Sequence, residues 1–170
     1  MKSYSIIFLL SCVVLLFGAC GANVEDYHAS PKVVISAGVL PSTTLSVYYD
    51  RETGLALTDT VRMGDTVRIM FKLNAFGFQL KRFHIEKPES FALIDVISPD
   101  SISKIVSASS SLPGLDFYFL DHISYVAMPI NYIPARASDT DSLVLHIQSD
   151  VTTKENTVRQ VLRIPVKPKR

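Results

Sequence analysis

The chain has 170 residues, of which 17 are Lys or Arg and 16 are Asp or Glu, so its formal net charge is +1. This balance argues against the broad basic surface that nucleic-acid binding needs, and we predict no nucleic-acid partner. With 48% hydrophobic and 19% charged residues, the chain is too apolar to be disordered. Its length predicts one domain.

The N-terminus has the features of a secretory signal peptide. Lys2 precedes the apolar run Ile6–Phe17, and the small residues 18–19 follow it. A basic start, an apolar stretch of 7–15 residues and a small-residue exit are typical of a cleaved leader. A retained transmembrane anchor is the alternative, but a spanning helix needs about 20 strongly apolar residues, and residues 18–23 are mostly small or polar. The sequence therefore predicts that residues 1–19 are removed.

The end of this segment resembles the lipobox of bacterial lipoproteins. Residues 16–19 (LFGA) precede Cys20, whereas the usual form is Leu, a small residue, Gly or Ala, and then Cys, so that Phe17 departs from it. The resemblance implies cleavage immediately before Cys20, a diacylglycerol on its thiol and an acylated amino terminus. It also implies passage to the outer membrane, because Gly21 and not Asp follows the cysteine. The periplasmic and the surface-exposed face of that membrane both stay open.

The mature chain predicted in this way is a domain on a tether. Residues 20–31 are polar, small and aperiodic, and they are predicted to form the lipid-anchored tether. Cys20 is then the only cysteine, which leaves no disulfide, no thiol nucleophile and no cysteine-based metal site. Residues 32–170 are predicted to form a single domain.

Strand signals dominate this domain. The clearest strand covers residues 66–74, where apolar and polar residues alternate; its apolar positions are Val67, Ile69, Phe71 and Leu73. The following segment changes parity near Lys81-Arg82, which predicts a bulge. Pro129 predicts that the segment 124–133 is an edge strand or a bent one. A hairpin is predicted on the two sides of the loop 149–156.

Eight or nine short strands, with one short helix predicted near residues 99–106, indicate an all-β fold. The pattern of Gly64-Asp65 before an alternating strand, together with the closing hairpin, resembles the immunoglobulin-like domains of secreted bacterial proteins. The resemblance implies an antiparallel β-sandwich. It lacks the Cys–Trp–Cys signature, because the chain has no tryptophan. A small β-barrel is the alternative architecture.

The sequence contains no recognisable catalytic constellation. The histidines lie 24 or more residues apart and are interpreted as solvated side chains in preference to metal ligands; they are His28, His84, His122 and His146. No Gly-x-Ser-x-Gly elbow accompanies the serines. We therefore predict a protein that is not an enzyme and that has no catalytic residue, bound metal or cofactor.

Aromatic residues are enriched between positions 112 and 135, and four of them are candidates for a ligand site: Phe117, Tyr118, Tyr125 and Tyr132. Aromatic rings near a loop can stack on sugar rings or anchor a protein partner. The alternative is that Phe117 and Phe119 belong to the core and that Tyr118 covers its rim.

The leader, the lipobox-like residues and the lack of catalytic motifs predict a non-enzymatic envelope protein that acts as an accessory or protein-interaction module. Its predicted partners are a membrane, reached through the lipid on Cys20, and an envelope protein or a glycan. Two alternatives stay open. One is a lipoprotein that binds a glycan or a small ligand, and the other is a structural subunit of a surface assembly, joined by strand addition at an exposed edge.

Overall fold

The computed structural model describes residues 30–50, 52–96, 99–151 and 156–169. The predicted leader, Cys20 and most of the predicted tether lie outside the described residues. Within the described part of the chain, no helix is long and apolar enough to cross a membrane.

Two main sheets contain most of the described strands. In spatial order, sheet A has β2 (Thr43–Leu45), β1 (Lys32–Val39), β6 (Val67–Asn74), β10 (Tyr125–Pro134) and β8 (Phe91–Val96). Sheet B has β3 (Val47–Tyr49), β4 (Leu55–Thr58), β12 (Thr157–Arg163), β11 (Ser142–Ser149), β7 (Leu80–Glu86) and β9 (Asp116–Tyr118). A small third sheet pairs β13 (Val166–Lys167) with β5 (Val61–Arg62).

The inward side chains of the two main sheets form one buried cluster. Phe71 of sheet A meets Phe83 of sheet B edge to face, with ring centroids 5.5 Å apart. The prediction of an all-β sandwich is therefore confirmed. Most strand pairs are antiparallel, as predicted, but β4 pairs with β12 and β5 with β13 in parallel. Parallel neighbours need long connections between them, so short-range sequence signals do not reveal them.

The alternation predicted for residues 66–74 is present in β6, the middle strand of sheet A. Its four apolar side chains are fully buried, and the residues between them face outward. The strand follows a turn in which Gly64 has a φ of +83°, a conformation that glycine adopts without steric strain. The Asp65 carboxylate closes this turn by accepting a hydrogen bond from the Arg62 backbone N–H at 2.9 Å.

Three further predictions can be compared with the strands. The pairing of β7 with β11 shifts register beside Lys81, which confirms the predicted bulge, and β11 pairs with β12 as the predicted hairpin. The prediction of an edge position for the Pro129 segment is wrong, because β10 lies between β6 and β8. Its described pairing with β8 begins at Ile130, so the missing proline N–H lies outside that paired stretch.

One helical turn, α1 (Pro99–Ile102), lies within the range predicted for a short helix. Ile102 is buried, and its carbonyl oxygen accepts hydrogen bonds from the N–H groups of Ile105 and Val106 at 2.9 Å each. The turn thus places one apolar side chain in the core and then returns the chain to extended structure.

The chain changes sheets at Ser46, between β2 and β3. The Ser46 N–H donates to the Asp59 carboxylate at 2.7 Å, which fixes the break between the two strands. As a result β2 covers only residues 37–39 of β1, and residues 32–36 have a described strand neighbour on the β6 side alone. On the other side, the Tyr49 hydroxyl accepts a hydrogen bond from the Ile35 N–H at 3.1 Å.

Candidate interaction surface

The structure separates the four aromatic candidates. Phe117 and Tyr132 are buried in the core, where the Phe117 ring stacks on that of Phe83 at 6.1 Å, and neither offers a surface to a ligand. Tyr118, which is 37% exposed, lies on the outer face of sheet B, whereas Tyr125 lies on the outer face of sheet A. The four therefore do not form one site. Phe117 and Phe119 are buried in the core, as the alternative predicts.

Polar side chains from neighbouring strands converge beside Tyr118. They line a shallow cavity of about 360 Å³ on the outer face of sheet B; its lining residues are Arg82, His84, Glu86, His146, Gln148 and Thr157. Together with Asp116 and Tyr118, these residues are called the polar face. The polar face lies on four adjacent strands, in the order β9, β7, β11 and β12. Their register places residues from distant parts of the sequence side by side. One such row across the four strands is Tyr118, Arg82, Gln148 and Thr157.

Arg82 and Asp116 form the central ion pair of the polar face. The guanidinium donates from Nε to Oδ1 at 2.7 Å and from Nη2 to Oδ2 at 2.8 Å, a bidentate geometry that is stronger than a single contact. These hydrogen bonds hold the pKa of the Asp116 carboxyl below its usual range. The guanidinium carbon also lies 5.3 Å from the centre of the Tyr118 ring, so the ion pair and the aromatic ring support one another.

Two histidines stack beside this ion pair. His84 and His146 are opposite each other in the β7–β11 register, and their ring centroids are 6.0 Å apart with planes at 27°. His146 Nε2 lies 2.9 Å from a Glu86 carboxylate oxygen. His84 Nδ1 has no hydrogen-bond partner among the described residues and lies 3.9 Å from the nearest Asp116 oxygen. The polar face thus contains one imidazole that pairs with a carboxylate and one whose Nδ1 has no described hydrogen bond.

The chemistry of the polar face suits binding. It combines an aromatic ring with planar groups that donate and accept hydrogen bonds and with charges of both signs, a combination that recognises polar partners. Among the residues that the structure describes, no three His, Cys, Asp or Glu side chains are arranged to hold a metal ion.

Sequence reasoning missed the polar face. The sequence predicts that His84 and His146 are solvated, and both are half exposed, but it does not predict that their rings stack. The available signal was that both lie on the polar parity of their strands. The missing information was the adjacency of β7 and β11, which the sequence of either strand does not encode.

An Asp116→Asn substitution is expected to make the free energy of unfolding less dependent on pH. Because folding lowers the pKa of this carboxyl from its usual value of about 3.9, the ion pair contributes stability above that value and loses it as the pH falls through the lowered value. We expect the variant to be less stable than the wild type at pH 7, by about 1 kcal/mol or less for a partly exposed pair, and this difference to be smaller at pH 2. Urea unfolding at both pH values measures this; an equal difference at the two pH values would contradict it.

Comparisons with known proteins do not assign the chain to a family. No protein-family model and no curated protein matches the chain. Among solved structures, the ASH/PapD-like domain of human CEP192 (PapD-like domain 7) is similar to it, with 11% identity, a TM-score of 0.39, and coverage of 74% of this chain and 87% of that chain. The functional proposal therefore rests on the residues of this chain.

Proposed function

We propose that this protein is a non-enzymatic lipoprotein of the bacterial envelope, held at the outer membrane through Cys20, and that it acts as a protein-interaction module. The lipobox-like residues before Cys20 support the anchor. Two or more acyl chains hold a protein stably on a membrane without a transmembrane helix, whereas one chain does not.

The polar face is the observation that carries the interaction part of this proposal. Its central groups are already ordered: Arg82 is held by Asp116, and His146 is paired with Glu86. A surface whose side chains are fixed before binding loses less entropy when a partner docks. Gln148 and Thr157 line the same cavity and extend the set of hydrogen-bonding groups.

Site-specific photo-crosslinking on intact cells tests the interaction. A photoreactive residue in place of Gln148 is expected to give an adduct of one defined mass. The matched control is the same residue in place of Asn131, a half-exposed amide on the outer face of sheet A, where no such adduct is expected. Arg82→Glu, which puts like charges beside Asp116, is expected to reduce the Gln148 adduct about tenfold, the effect of losing one strong contact.

Two results would contradict the proposed docking surface. One is the same set of adducts at both positions, and the other is no adduct at Gln148 although the protein is folded and present in the envelope. Either result would remove the polar face as the surface that binds a partner.

A structural subunit joined by strand addition is the second candidate, and the edge of β1 favours it. Residues 32–36 have a described strand neighbour on one side only, and an unpaired edge is the surface to which an added strand binds. The Tyr49 hydroxyl accepts the hydrogen bond of the Ile35 N–H. An added strand would have to displace this hydroxyl before it could pair with Ile35. A crosslinked ladder of this chain itself, in place of one adduct of defined mass, is the result that this candidate predicts.

A further inference from the structure

We propose that one end of the sandwich lies against the lipid surface. This tether-end patch consists of Lys32, Val34, Lys72, Phe76 and Tyr125. The inference rests on the proposed lipid anchor at Cys20, and it adds an orientation: the patch faces the membrane, and the opposite end of the domain faces away from it.

Strand register makes the patch continuous. Lys32, Asn74 and Tyr125 are neighbours across β1, β6 and β10, and Val34, Lys72 and Ala127 form the next outward-facing row. Val34 is 58% exposed, Tyr125 56% and Phe76 44%. The Lys32 ammonium lies 5.4 Å from the centre of the Phe76 ring. Large apolar side chains beside lysines are the composition that binds at the headgroup level of a bilayer.

The conformation of the turn that contains Phe76 supports the patch independently. Phe76 and Gly77 have φ values of +51° and +94°, and the Phe78 N–H donates to the Ala75 carbonyl at 3.0 Å. These values are those of a type I′ turn, in which Asn or Gly is strongly favoured at the position that Phe76 occupies. A bulky residue there is strained. Phe76 is thus half exposed and occupies a turn position that Asn or Gly would occupy with less strain.

The short tether between Cys20 and β1 indicates that a lipid surface covers the patch. β1 begins at Lys32, inside the patch, and the 11 residues from Gly21 to Pro31 separate it from Cys20. Even when fully extended, these residues span at most about 40 Å. Of the whole domain, the patch is therefore the part whose distance from an anchored lipid is most tightly limited. Both charges of the patch are positive, which favours an anionic membrane surface.

Tryptophan fluorescence tests the orientation, because the chain has no tryptophan. Phe76→Trp and Tyr125→Trp place one reporter in the patch, and Tyr48→Trp is the matched control. Tyr48 is 57% exposed and lies at the opposite end of sheet B, in the row of Leu57, Arg163 and Ser142. The eight residues of β11 span about 25 Å between that row and Ser149, which pairs with Leu80 just after the turn that contains Phe76.

The lipidated protein is reconstituted in vesicles of phosphatidylethanolamine and phosphatidylglycerol, with and without brominated acyl chains. We expect bromolipid to quench the two patch reporters several-fold more than the Tyr48→Trp control. We expect Lys32→Gln or Lys72→Gln to weaken docking by roughly fivefold each. Equal quenching at both ends, or none at either end, would overturn the proposal. A blue shift at the patch without quenching would mean that a second copy of the chain covers the patch, and would overturn the proposal as well.

A Phe76→Asn variant separates docking from folding. Because Asn suits the positive φ of this turn better than Phe, we expect a higher melting temperature together with weaker quenching of the Tyr125→Trp reporter. A lower melting temperature together with unchanged quenching would show that Phe76 serves the fold alone.

Mass spectrometry of the same sample tests the anchor separately, since a diacylglycerol on Cys20 changes the mass however the domain lies. If the lipid is missing, the proposed anchoring fails. The reporters are then measured on the chain coupled through Cys20 to a maleimide lipid, in a Cys12→Ser background, and the same quenching results decide the orientation.

Discussion

A Phe83→Ala substitution is expected to destabilise the domain by about 4 kcal/mol, as for other buried phenylalanines truncated to alanine. Phe83 is fully buried in sheet B. Its ring meets Phe71 of sheet A at 5.5 Å and Phe117 of the neighbouring strand at 6.1 Å. Truncation therefore leaves a cavity between the sheets and removes two aromatic contacts. Domains are stable by about 5–15 kcal/mol, so the variant is expected to be close to unfolding.

Urea unfolding followed by circular dichroism measures this loss, and Tyr125→Ala is the matched control. Tyr125 is also an aromatic residue of a strand, but it is 56% exposed, and its truncation is expected to remove about 1 kcal/mol or less. Equal losses in the two variants would contradict the assignment of Phe83 to the contact between the sheets.

A Cys20→Ser substitution is expected to abolish lipid attachment and release the protein from the membrane fraction. The proposed diacylglycerol is linked through the thiol, and a serine hydroxyl does not replace it in that linkage. Each buried methylene contributes about 0.8 kcal/mol to membrane binding, so the loss of whole acyl chains is an all-or-none effect. Labelled palmitate and fractionation of cells measure the two consequences together.

Cys12→Ser is the control for this experiment. Cys12 is the only other cysteine of the chain, and it lies in the segment predicted to be removed. We expect this variant to keep both the label and the membrane location. Labelled palmitate that still enters Cys20→Ser, or that never enters the wild type, would show that the lipobox resemblance is misleading.

Local periodicity predicted the parts of the fold that depend on a single strand. The burial of alternate residues in β6 follows from the two-residue period of an extended chain, and the parity change near Lys81 predicted the bulge of β7. The sequence also indicates that Tyr125 and Tyr132 lie on opposite faces of their strand. Tyr132 shares its parity with the apolar residues Val126, Met128 and Ile130. This parity places Tyr132 inside the sandwich and Tyr125, which has the other parity, outside it.

The candidate surface depends on information that no single strand contains. The polar face requires that β9, β7, β11 and β12 be neighbours, in a register that sets His84 against His146 and Arg82 beside Tyr118. Strand order is decided by the packing of the whole core, and many orders satisfy the same alternation. Individual residues could therefore be placed on a face, but the cluster they form could not be predicted.

The two parallel strand pairs also determine how early the domain can fold. They join strands in residues 55–62 to strands in residues 157–167, so neither can form until nearly all of the domain is available. Contacts of such sequence separation form slowly, because a long loop must close first. If the chain is exported from its N-terminus, as the proposed function requires, it would cross the inner membrane unfolded. Its sandwich would close only after β12 and β13 had emerged.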